Sequence, residues 1–185
     1  MIGEIEMVDI LKQVNECGIL TAIYTNKNDY DKFSVGYILS VAEDSFLTKH
    51  LSTRGEFDGY SVRKVDDVYR VETNGLYLHK IEQLYKQKIN QVEIPAIDTN
   101  GNLLLNAITY AINNNFITII CIDESANDIV GYIESFDNYN IKVLQISEYG
   151  QKNGETIFSV DEIIKICIND TDCVDLDILY RNNGI

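Results

Sequence analysis

Apolar residues recur along this chain at two periods, one helical and one of strand type, and the two alternate in blocks. Ile5, Val8, Leu11 and Val14 stand three apart in residues 4–16, which predicts an amphipathic helix with Gly18 as its C-cap. Runs of β-branched and aromatic residues broken by turn formers then predict strands at 19–25, 34–41, 45–52, 59–64 and 67–72. Leu78, Ile81, Leu84 and Tyr85 predict a closing helix over 76–88. The same succession then begins again. Leu104, Ala107, Ile108, Ala111 and Ile112 predict a helix over 102–114, followed by strands at 116–122, 129–136, 140–147, 154–159 and 162–168. A shorter closing helix is expected at 174–180.

Sliding the chain over itself gives this repetition a register. Residues 35–86 lie without a gap over residues 130–181, an offset of 95, and 13 of the 52 positions are identical. Chance at ordinary residue frequencies would give roughly three. Val35-Gly36-Tyr37-Ile38 matches Val130-Gly131-Tyr132-Ile133, and Gly55, Gly59, Asp66 and Leu84-Tyr85 match Gly150, Gly154, Asp161 and Leu179-Tyr180. Upstream, a three-residue gap brings the two predicted helices into line. An internal duplication accounts for this pattern. The expected organisation is a first repeat at 1–89, a linker at 90–101 containing Pro95, and a second repeat at 102–185. The expected fold class is mainly β with flanking helices (α+β), each five-stranded repeat being preceded by an α-helix.

GYIESFDNYNIKVL, residues 131–144, is similar to the first Sm motif as it occurs in Hfq-type proteins, and GYILSVAEDSFLTKHL keeps the pattern in the first copy. DDVYRV and DEIIKI resemble that family's last strands. The resemblance implies a small, strongly bent five-stranded barrel in each copy. It also implies ring assembly through edge strands and RNA binding through basic and stacking residues. Only the first copy has basic residues for such a role, namely Lys49, Arg54, Arg63, Lys64 and Arg70. The corresponding stretch of the second copy, FSVDEIIK, is acidic, so RNA is not its expected ligand.

Charge separates the copies further. Residues 1–95 hold 11 basic and 15 acidic side chains, and residues 96–185 hold 4 and 14, so the halves carry −4 and −10 of the total −14. That field repels nucleic acid and anionic membrane surfaces and attracts a basic protein. The candidate docking residues are Asp170, Asp172, Asp175 and Asp177 near the C-terminus and the Asp123 and Glu124 pair in a predicted turn.

Catalytic and metal-binding signatures are absent from the sequence. The chain contains two histidines, His50 and His79, and its cysteines, Cys17, Cys121, Cys167 and Cys173, form no C-x-x-C pair. The expectation is four reduced thiols, mostly buried, and no cofactor. Tyr37, Tyr85, Tyr132 and Tyr180 recur between the copies and are expected in the core, whereas Tyr24, Tyr30, Tyr60 and Tyr69 are candidates for a partner-facing surface. No run of apolar residues is long enough for a membrane span, and the acidic N-terminus lacks the features of a signal peptide, so a cytoplasmic location is expected. The function expected from these features is non-enzymatic protein binding, in the form of an acidic immunity protein that neutralises a basic toxin such as a nuclease. Sm-like RNA regulation through the first copy is the alternative.

Overall fold

The computed structural model describes residues 6–88, 97–123 and 127–184. Pro95 and most of the expected linker lie outside these residues. The chain divides into two compact units at Leu103/Leu104, with Gly59–Ser61 grouped with the second. The architecture is mixed α+β and mainly β.

In the first unit, helix α1 (Met7–Cys17) leads into strands β1 (Thr21–Tyr24), β2 (Ser34–Val41), β3 (Ser45–Leu51) and β4 (Phe57–Lys64). A 3-10 turn (Val65–Asp67), strand β5 (Arg70–Thr73) and helix α2 (Leu76–Gln87) complete it. The strand order is β5-β1-β2-β3-β4, and β1 pairs antiparallel with both β2 and β5. The second unit runs α3 (Leu103–Asn114), β6 (Ile117–Cys121), β7 (Ile129–Phe136), β8 (Asn140–Ile146) and β9 (Lys152–Ser159). It ends with a 3-10 turn (Val160–Glu162), β10 (Lys165–Ile168) and α4 (Thr171–Asn182). Its strand order, β10-β6-β7-β8-β9, is that of the first unit repeated.

The correspondence reaches individual backbone angles. Thr21 pairs with Gly36 and Thr118 with Gly131, and the β2/β3 and β7/β8 pairs each shift register after the second residue beyond that glycine. Asn74 and Asn169 both enter their closing helices from the left-handed region, at φ 60° and 57°. Gly18 and Asn115, at φ 59° and 52°, end the leading helices alike. These pairings place the upstream gap at two residues rather than the three that helix periodicity gave, because strand register fixes Thr21 opposite Thr118's equivalent position.

Gly36 and Gly131 answer to close backbone approach. A Cβ on Gly36 would lie 2.5 Å from the Lys49 carbonyl oxygen, and one on Gly131 would overlap the Leu144 carbonyl oxygen. Only glycine lets the second strand pass so near the third. The register shift that follows re-aims the side chains beyond it, and Asn15 Nδ2 donates to the Ile38 carbonyl there at 2.7 Å.

Each first-unit sheet face has its own helix. Leu11 and Val14 of α1 pack with Ile23, Ile38, Phe46, Val65 and Val68, while Leu78 and Ile81 of α2 pack with Leu20, Ala22, Tyr24, Val35 and Leu51. Helix α4 packs on β6, where Cys173 joins Ile117, Tyr132 and Ile146. It has twelve residues, as many as α2, where periodicity predicted a short stub. The residues 67–69 expected as strand belong instead to the 3-10 turn and its exit, so β5 begins at Arg70.

Substituting Gly131 with Ala should lower unfolding stability by about 2 kcal/mol, the usual cost of forcing atoms into a filled site. Gly75, the N-cap of α2 with open space around it and φ −74°, is the control: Gly75→Ala should cost no more than about 1 kcal/mol. Urea titration of the two variants measures both values.

Candidate partner-binding groove on the second unit

Helix α4 decides what becomes of the four aspartates near the C-terminus. Asp170 is its N-cap, and the carboxylate accepts from the Cys173 backbone N–H at 2.8 Å. This bond satisfies one of the amides that a helix start leaves without an internal partner. Asp177 accepts from the Tyr132 hydroxyl and from Arg181 Nε at 2.9 Å, so it ties α4 to β7. The first unit builds the same tie, with Tyr37 donating to Glu82 at 3.3 Å and Lys86 paired to Glu82 at 3.0 Å. Burial, followed by the adjacent carboxylate, pushes the Tyr37 hydroxyl up to about 12 and the Tyr132 hydroxyl higher still. Tyr85 and Tyr180 stack beside these rings at 6.0 and 5.2 Å between centroids. Asp170 and Asp177, two of the six candidate docking residues, thus each make a contact within the second unit.

Asp172 and Asp175 stand on the face of α4 that borders an open groove of about 400 Å3. Ile119, Val130, Ile146 and Cys173 form its floor, and Leu176 and Leu179 form its helical wall. Glu148, which sequence reasoning missed, joins the two aspartates at this site. Neither a hydrogen bond nor an ion pair engages any of these three carboxylates among the described residues. By contrast, Lys142 is held between Glu134 and Glu155, at 2.8 Å from each, and Arg181 is held by Asp177. The Asp123 side chain is exposed in the loop after β6 and does not border the groove; Glu124 lies outside the described residues.

The first unit shows what opened the groove. Register aligns its Ala22, Val35, Leu51, Leu78 and Ile81 with Ile119, Val130, Ile146, Cys173 and Leu176. Leu78 and Cys173 are both buried, but Ile81 is 0% exposed where Leu176 is only partly buried, and Leu84 is partly buried where Leu179 is 46% exposed. Leucine at 78 becomes the smaller cysteine at 173. A ladder of rings also covers the first unit at this end, with Tyr24 to Phe33 at 5.1 Å, Phe33 to Tyr77 at 5.7 Å and Tyr24 to Tyr69 at 6.2 Å. The equivalent residues of the second unit are Cys121, Asp128, Asp172 and Ile164. None of these four positions is aromatic in the second unit. At the rim, Thr53, Tyr77 and Lys80 give way to Glu148, Asp172 and Asp175. Position-by-position comparison of the copies was thus a signal available in the sequence.

Tyr24 and Tyr60 are 6% and 4% exposed, so they are core residues and not the partner-facing tyrosines expected. Tyr24 packs among Leu20, Val35 and Leu78 as well as against the Phe33 and Tyr69 rings. Tyr30, at 66%, is exposed as expected. The expectation of mostly buried thiols holds for two of four, because Cys17 faces out from α1 and Cys167 is only partly covered.

Cys173 offers no nucleophile. Burial, followed by the neighbouring Asp170 carboxylate, raises its thiol far above the ordinary range and keeps it protonated. Among the described residues, no group of three His, Cys, Asp or Glu side chains is placed to hold a metal ion, and no helix is long and apolar enough to cross a membrane. What the groove can do chemically is bury an apolar side chain while its carboxylates attract positive charge. Comparison of the chain with protein-family models, curated proteins and solved structures finds no match.

Two outcomes follow from the helix and its tie. Alkylation at mildly alkaline pH should modify Cys17 well before Cys173, which mass mapping of the labelled peptides would show. Because the folded Tyr37 hydroxyl titrates near 12 against an unfolded value near 10, its contribution to stability is complete below about pH 10 and is lost as pH rises toward 12. Tyr37→Phe should flatten the alkaline fall in stability, measured by denaturant titration across that window.

Proposed function

We propose that this chain is a non-enzymatic protein-binding module of two Sm-like repeats whose second repeat docks a basic protein. Its most specific form is an acidic immunity protein of the cytoplasm that neutralises a basic toxin such as a nuclease. One observation carries the reading: Glu148, Asp172 and Asp175 gather, without partners among the described residues, beside an open apolar groove. Unpaired surface carboxylates contribute little to folding, and their concentration in the half of charge −10 favours association with a cation-rich surface.

The Sm-like part of the proposal is supported by the repeated strand order, in which the fifth strand returns to pair with the first. The glycine at the close approach of the second and third strands supports it as well. RNA recognition by the first repeat has less in its favour. Lys49 donates to the Tyr85 hydroxyl at 2.8 Å, Arg54 pairs with Glu56 at 3.7 Å, and Arg70 is paired with Glu72. Cations engaged in this way are less available to displace counterions from phosphate.

A neighbouring gene for a basic nuclease domain is the partner the proposal expects, and co-expression with that domain tests it. A one-to-one complex should form at low ionic strength, weaken as salt is added, and block the nuclease. Absence of any complex at low salt would sink the immunity reading, and retention of single-stranded RNA on a filter by the chain alone would favour the alternative. Replacing Asp172 and Asp175 together by Asn should slow association about tenfold while leaving thermal stability unchanged, as surface plasmon resonance and a melting curve would show.

A further inference from the structure

We infer that the groove between α4 and β6 is an anchor site for one apolar side chain of a Lys- or Arg-rich segment, so that recognition requires an apolar residue and not charge alone. The inference rests on the basic-partner reading and specifies its chemistry. If charge were the whole of the interaction, exposed carboxylates on a closed surface would serve, and the second unit had a closed design available in the first. Leu78 and Ile81 fill that space, and Tyr77 at its edge meets the Phe33 ring. In the second unit the same positions carry Cys173, Leu176, Asp128 and Asp172. The smaller Cys173 and the acidic Asp172 border a hydrophobic floor whose Ile119 and Val130 are only partly covered.

The rim selects what enters. An apolar side chain reaching the floor brings its neighbours within range of Glu148, Asp172 and Asp175, which none of the described cations neutralises. Lys and Arg flanking the anchor answer that charge, and their aliphatic stems can lie along Leu176 and Leu179. A second copy of this chain is a poor occupant, because each copy brings a charge of −14.

Two fluorescent synthetic peptides of equal length and equal positive charge, one of lysine and leucine and one of lysine and serine, provide the test by anisotropy at low ionic strength. The leucine peptide should bind the full chain about ten- to a hundredfold more tightly, the range expected for burying one such side chain. Cys173→Leu, which copies Leu78, should erase that preference. Leu179→Asn, at a half-exposed position, should reduce the preference too and guards against misfolding of the first variant. Equal binding of both peptides, or a preference untouched by both variants, would overturn the anchor while leaving the basic-partner reading in place. Failure of both peptides to bind would overturn the two together. Dimerisation of the unmodified chain that Cys173→Leu abolishes would give the groove to a second copy and overturn the inference as well.

Discussion

The approach of two backbones at Gly36 and Gly131 is the constraint from which the rest of each unit follows. A neighbouring carbonyl lies where a Cβ would stand, so the second and third strands are held in a register that no larger residue permits. The register shift two residues later turns the remainder of the second strand. The two sheet faces of the first unit then receive their helices in fixed positions, α1 against Ile23, Ile38 and Phe46, and α2 against Ala22, Val35 and Leu51.

The second constraint is the tie between the closing helix and the second strand. Tyr37 with Glu82 and Tyr132 with Asp177 are partly buried hydroxyl–carboxylate pairs, each joined by a cation one turn further along the helix. A carboxylate so placed gains a hydrogen bond and an ion pair that offset the loss of water. The tie holds the near side of the helix in both units. Elsewhere the packing was free to diverge, and it diverged one turn before that tie, where Tyr77 and Leu78 are replaced by Asp172 and Cys173.

Duplication makes that divergence readable. In the first unit the helix is sealed by volume and rings, and in the second the helix is retained by its Asp170 cap and the Tyr132 tie while the seal is missing. The second unit keeps a closed core at Ile120, Ile141, Val143 and Ile166, and its open apolar surface with acidic edges is confined to the flank of α4. Exposed apolar surface of this kind is costly to leave in water.

Periodicity and self-comparison in the sequence by themselves determined the mixed α+β class, the positions of all ten strands to within a few residues, the repeated order of elements and the acidity of the second half. These properties are local or statistical, since β-branched alternation and residue identity act over short stretches of chain. The length of α4 was not legible, because VDLDILY lacks a clean apolar stripe and its helicity depends on the Asp170 cap and on Cys173 meeting Ile117. Nor could sequence sort four nearby aspartates into one cap, one tie and two unpaired groups. Asp177 finds its partner Tyr132 at a separation of 45 residues, and Glu148 reaches the groove from the end of a different strand. Only the tertiary structure decided which carboxylates are engaged, because a charge's role is set by what the fold brings against it, and that neighbour is almost never its neighbour in sequence.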